Sequence, residues 1–275
     1  METAAIRVGV APVLAARTMN AEQVTQALLG APVRILERSP RWARIRMQDG
    51  YEGWISGAHL GPDLPLSAEW VTMTDLWVNL RTRPDYRMPV RQTAFVGTKL
   101  PLRARRPGWL GVLLPSGPLG WLEEHRSTVH PYEQPATPPS WEQVLETARR
   151  FLGVPYLWGG CSPLGLDCSG FVQLIYRLHG IMLPRDADRQ AGIGLRVPVG
   201  EGERAASLAA GDAIFFRSPE ARQRITHVGL ILGDGSFIHA AGGDAVRINC
   251  VDDAPYGERL VAARRYLCDS VESSV

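Results

Sequence analysis

Asp167-Cys168-Ser169-Gly170-Phe171-Val172-Gln173-Leu174-Ile175-Tyr176 is the stretch whose reading decides the fold, because it sets a thiol where a helix begins. Asp167 suits a helix cap or first-turn anion, and Gly170 admits close backbone approach. Phe171, Val172, Ile175 and Leu178 recur at helical spacing before Gly180 closes the segment. A helix is therefore predicted to start at or near Cys168, with the thiol as a candidate nucleophile.

Unpaired amides and the macrodipole at a helix start favour a thiolate over a thiol. Lowering a cysteine pKa from roughly 8.5 to about 6 takes about 3.4 kcal/mol, more than the ~0.3 to 2 kcal/mol a dipole supplies. A histidine partner is required. Downstream of Cys168 stand only His179, His227 and His239. His227-Val228-Gly229-Leu230-Ile231-Leu232 and Ser236-Phe237-Ile238-His239-Ala240 flank Gly233-Asp234-Gly235, which reads as a β-hairpin.

Loop parity then decides whether the two histidines cooperate. A two-residue Asp-Gly turn pairs Leu230 with His239 and sends His227 to the other face, whereas a three-residue loop pairs Gly229 with His239. Only the odd loop, or a bulge, puts both rings on one side, as diagonal neighbours roughly 7 to 8 Å apart by Cβ. There His227 would take the Cys168 proton and hold the thiolate as an ion pair, while His239 bonds the far nitrogen of His227 and sets its tautomer. His59, His125, His130 and His179 have no such partner in sequence, and Cys161 reads as structural.

Upstream, Ser140 and Gln143 form a capping box ahead of an apolar stripe of Val144, Leu145, Ala148, Phe151 and Leu152 that ends at Gly153 and Pro155. The proline-rich run 131–139 before it reads as a linker or strap. The first half of the chain is one module written twice. Gly30, Trp42, Gly50, Gly53 and Trp54 recur as Gly97, Trp109, Gly117, Gly120 and Trp121, each pair 67 residues apart. Short alternating segments around these anchors predict two small β-barrels, with the tryptophans as core. Glycine-tryptophan turns after strands resemble bacterial SH3-like domains.

The chain of 275 residues, 45% hydrophobic, is long enough for two or three cores. With 30 basic and 28 acidic residues and a net charge of +2, it offers no electrostatic case for a nucleic-acid or membrane-surface partner. No apolar run is long enough to span a bilayer. Residues 1–5 lack the basic start of a secretory signal, so a cytoplasmic location is expected, unless the chain is the mature form of an exported one. Four cysteines at irregular spacing (Cys161, Cys168, Cys250, Cys268) suit reduced thiols better than a disulfide framework.

Phe151-Leu152-Gly153, Pro155-Tyr156, Trp158-Gly159-Gly160, Asp167-Cys168-Ser169-Gly170-Phe171, Gly211-Asp212, Ile214-Phe215-Phe216, His227-Val228-Gly229 and Ile238-His239-Ala240 together resemble the NlpC-type peptidases. The resemblance implies a multidomain chain: two small all-β SH3-like barrels (1–64 and 65–130), a linker (131–139) and an α+β papain-like catalytic domain (140–275). It implies a triad of Cys168, His227 and His239, no cofactor or metal, and a muropeptide substrate cleaved beyond γ-D-glutamate. Two SH3-like domains before such a catalytic domain resemble the γ-D-glutamyl-L-diamino-acid endopeptidases of peptidoglycan recycling, which act on peptides with a free N-terminal L-alanine.

In that subgroup the amine is held by residues whose counterparts here are Glu22, Tyr51 and Asp167, a carboxylate opposite a desolvated cation being the physical requirement. Tyr156, Ser169, Arg185 and Asp186 fall where family members line the pocket. Arg185 would offer its fork to a substrate carboxylate, or else form a surface ion pair with Asp186; Ser169 would serve the pocket or cap the helix. Leu164-Gly165-Leu166 departs from the more polar lead expected before the nucleophile. Two other functions suit parts of the pattern: a hydrolase or acyltransferase acting on polymeric wall, and a non-catalytic wall-binding protein. Nothing in the sequence points to a protein partner.

Overall fold

A computed structural model describes residues 2–131, 138–199, 207–218 and 224–267, so most of the proline-rich run 131–139 and Cys268 lie outside the described residues. The chain divides into two compact units, Met1–Pro135 with Cys161–Pro163, and Ala136–Gly160 with Leu164–Val275.

In the first unit the duplication is visible strand by strand. One antiparallel sheet of seven strands has the spatial order Gln23–Leu28, Val10–Leu14, Glu52–Ser56, Trp42–Arg46, Pro32–Arg38, Thr3–Ile6 and Leu60–Gly61. The second repeats that order as Val90–Phe95, Trp77–Arg81, Leu119–Glu123, Trp109–Leu113, Lys99–Arg106, Glu69–Met73 and Ser127–Pro131. Even the irregularities recur: a bulge falls between Ile35 and Glu37 in one copy and between Leu102 and Ala104 in the other.

Alternation explains the cores. In Trp42–Arg46, Ala43 and Ile45 point inward while Arg44 and Arg46 stay outside and pair with Glu52. Trp42 and Trp54 are half-buried, and their counterparts Trp109 and Trp121 are buried. Gly30 and Gly97 share a positive φ, 76° and 80°. At Gly30 a Cβ would come within 2.8 Å of the Lys99 carbonyl, so the turn requires glycine both for its backbone and for the approach of the second module. The second core includes Leu29 from the first copy. Among the described residues no strand pairing closes either sheet end to end.

The second unit carries an antiparallel sheet of six strands in the order Leu195–Val197, Leu260–Arg265, Ala213–Arg217, Ile225–Ile231, Ser236–Ala240 and Val246–Cys250. Helix Trp141–Arg149 opens with the expected box, in which Ser140 accepts from the Gln143 amide and Gln143 reaches back to the Ser140 amide. Val144, Leu145, Ala148 and Phe151 are buried, but Leu152 is 45% exposed. The helix stops at Arg149, so Leu152 leaves the apolar stripe in the turn that follows. Helix Cys168–Leu178 packs on the neighbouring strands Ile225–Ile231 and Ser236–Ala240, with Cys168 through Tyr176 buried.

Candidate active site

Asp167 is the N-cap of the nucleophile helix; its Oδ1 accepts from the Gly170 amide at 2.7 Å. The same carboxylate is the centre of a buried cluster. Oδ2 accepts from the Gly159 amide at 2.9 Å, and both oxygens receive the Arg185 fork at 3.0 and 2.5 Å. Ser169 Oγ donates to Asp167 and accepts from Arg185 at 2.8 Å. Arg185 is therefore neither half of a surface pair with Asp186 nor an open fork: a guanidinium this deeply buried needs a buried carboxylate, and Asp167 is that carboxylate. Asp186 is partly exposed, with Arg189 at 3.9 Å, and Ser169 stands inside the first turn rather than capping it.

The hairpin resolves with the odd loop. Leu230 pairs with Ile238 and Ile231 with Phe237, the Leu232 amide donates to the Ser236 carbonyl, and Gly233, Asp234 and Gly235 make the turn, with φ +101° and +83° at the two glycines. His227 and His239 consequently share a face. Nε2 of His227 lies 2.7 Å from Nδ1 of His239, with the ring planes 86° apart. Gly229 lies between them: a Cβ there would meet Phe237 Cδ2 at 2.6 Å and His239 Cβ at 3.0 Å. Phe237 stacks on His239 at 4.5 Å.

Cys168 Sγ lies 4.0 Å from the Thr226 carbonyl oxygen and receives the backbone N–H of Val228, so it is set against the strand backbone on either side of His227. Burial pushes the thiol up to about 12, with the charge of Asp167 adding to it, against the amides of Val228 and Ser169 and the charge of Arg185. Burial, then His239, pulls His227 down to about 3. His239 is drawn down to about 4 by burial and by Arg247, with its bond to Asn249 working the other way. Desolvation thus works against both charged forms, so an ion pair between Cys168 and His227 has to recover that cost through their mutual attraction and the amides at the helix start.

Tyr156 is half-buried; desolvation raises its phenol, and the charges of Cys168 and Asp167 act on it in the same direction, which sets its hydroxyl in their surroundings. Glu22 is exposed just before strand Gln23–Leu28, and Tyr51 is half-buried just before Glu52–Ser56. Three residues escaped sequence reading. Asn249 Oδ1 lies 3.0 Å from Nε2 of His239, Arg247 bonds Asn249, and Gln190 Nε2 ties the Ser169 carbonyl to that of Pro184, beside Arg185. The signal for the first two was their alternation on the strand after His239.

A cavity of about 230 Å³ opens beside the imidazoles, lined by Thr226, Arg217, Tyr256 and Arg259 among others. Among the described residues no cluster of three metal-ligating side chains occurs. A buried thiol at a helix start, an imidazole base and a second imidazole behind it can carry out acyl transfer through a covalent intermediate.

Comparison with known proteins agrees with this chemistry. The NlpC/P60 family profile matches residues 153–265, and that of the bacterial dipeptidyl-peptidase SH3 domain matches residues 14–60. A gamma-D-glutamyl-L-lysine dipeptidyl-peptidase of Bacillus cereus is 31% identical over 88% of this chain and 75% of its own length. One from Bacillus subtilis is 31% identical over 88% of this chain and 80% of its own. The crystal structure of an NlpC/P60 family protein from Bacillus cereus superposes with a TM-score of 0.85 at 27% identity, covering 97% of this chain and all of that one.

Proposed function

Because the chain belongs to the NlpC/P60 family of cysteine peptidases, we propose that it hydrolyses the bond between D-γ-glutamate and the L-diamino acid that follows, diaminopimelate or lysine, in muropeptides with a free N-terminal L-alanine. The observation that carries this reading is the 2.7 Å contact between His239 and His227, the latter on the strand against which the Cys168 sulfur lies.

The Cys168 proton passes to His227 and the sulfur attacks the γ-glutamyl carbonyl. Backbone amides at the helix start, that of Cys168 included, would receive the oxyanion, each donor worth roughly 2.7 to 4 kcal/mol in acyl transfer. The tetrahedral adduct collapses to a thioester as His227 gives its proton to the departing amine. His227 then takes a proton from water, hydroxide attacks the thioester, and the thiol is restored. The leaving amino acid carries free carboxylate, and Arg217 and Arg259 on the cavity wall beside His227 suit it.

Both copies of the first-half module are taken as SH3-like barrels, the second by its identical strand order. Glu22, Tyr51 and Asp167 are assigned to the substrate amine, with Tyr156, Ser169 and Asp186 around the peptide. Reduced cysteines at 161, 168 and 250 favour a reducing, cytoplasmic setting. The test is Cys168→Ala assayed on L-Ala-γ-D-Glu-diaminopimelate: hydrolysis is expected to vanish, and measurable turnover by the variant would end the assignment. N-acetylating the substrate is expected to remove most activity of the wild-type enzyme, whereas equal rates would refute the amine assignment alone.

A further inference from the structure

The hydrogen bonds that continue beyond His239 have a direction. Arg247 Nε lies 2.9 Å from the same Asn249 atom that His239 Nε2 approaches at 3.0 Å. An arginine Nε–H only donates, so that atom must be the amide oxygen; turned over, the amide would aim its own N–H groups at a donor. The oxygen in turn makes His239 Nε2 the protonated nitrogen and Nδ1 its lone pair. That lone pair accepts from Nε2–H of His227, 2.7 Å away, which leaves Nδ1 of His227 unprotonated and free to act as the base. Arg247 is held for this task by Asp244 at 2.9 Å and by a side-chain bond to Tyr256.

We infer that Asn249 and Arg247 are positioning residues that set the polarity of the His227–His239 relay, Arg247 doing so by locking the Asn249 amide with its oxygen toward His239. Asn249 acts only through His239, and Arg247 also borders the cavity, so the ring signals rather than kcat alone read its positioning role. The inference rests on His227 being the base, and it adds a reason why only one of the two imidazole tautomers is populated in the resting enzyme. His239 is fully buried, which leaves its two ring nitrogens to the partners His227 and Asn249.

The experiment compares the full-length protein with Arg247→Met, Asn249→Asp and the double variant, by steady-state kinetics and by ¹⁵N NMR of the histidine rings. Arg247 is partly exposed and its removal leaves the core intact. In Arg247→Met the amide is freed to turn, and kcat is expected to fall at least ~10-fold with KM little changed, a wrong tautomer being costly in such relays. The ¹⁵N signal of His227 Nδ1 is expected to move from an unprotonated to a protonated position. A carboxylate has no donor to turn inward, so the double variant should recover to within about threefold of Asn249→Asp. Wild-type kcat with an unchanged ¹⁵N pattern in Arg247→Met, or a double variant as slow as Arg247→Met, overturns the inference. If the wild-type enzyme proved inactive on muropeptides, the ring signals would still decide the polarity, so the two readings fail separately.

Discussion

The cluster at the start of the nucleophile helix and the chain behind the hairpin histidines solve the same problem, polar groups in a dry interior, in opposite ways. Asp167 and Arg185 form a buried ion pair, and their carboxylate also takes the Gly159 and Gly170 amides, so each oxygen has more than one donor. His227, His239 and Asn249 are held neutral and linked in single file to a partly exposed arginine. Fixed charge suits architecture, since moving a buried charge would strand its partner. Neutral imidazoles in the proposed relay avoid the cost of burying charge that has no counter-ion.

Acid should strain the second system far more than the first. Both histidines have folded values, about 3 and about 4, below their unfolded one, so their neutral forms stabilise the fold fully above roughly pH 6.5 and progressively less as pH falls toward those values. At about 1.4 kcal/mol per unit of separation, several kcal/mol should be gone by about pH 4. Urea unfolding at both pH values measures this, and equal stabilities would mean that the rings are solvated, breaking the contrast.

Arg185→Met should cost about 3 to 5 kcal/mol, since it leaves the Asp167 charge buried alone, while adding Asp167→Asn should recover most of the loss because asparagine still caps a helix. A single variant as stable as wild type would make the pair ornamental. On the hairpin, Gly229→Ala pushes a methyl onto Phe237 and His239; a loss of about 1 to 3 kcal/mol is expected, with a fall in kcat that reports the displaced ring. Smallest is Asp244→Asn, at an exposed ion pair with Arg247, expected to change stability by less than about 1 kcal/mol in thermal melts.

Much of this was legible in the residues. The 67-residue spacing of Gly30, Trp42, Gly50, Gly53 and Trp54 against their counterparts anticipated a duplicated β module, and the strand orders repeat position for position. Asp167 and Ser140 announced two helix starts, because capping depends on atoms within three residues of each other. The hairpin was legible except for its parity: a Gly-Asp-Gly turn supports either register, and the three-residue loop was selected by what the register buries, Phe237 and Ile238 packed and His239 facing His227.

The chain by itself therefore determined the duplicated module, the helix start at Cys168 and the hairpin that carries His227 and His239, because repeats, caps and motifs are written in short-range spacing. Only the tertiary structure decided how strongly burial acts on the thiol and imidazoles, that Arg185 closes on Asp167, and that Asn249 and Arg247 stand behind His239. Those outcomes depend on desolvation and on contacts between residues distant in sequence, and neither quantity exists until the sheet and helix have come together.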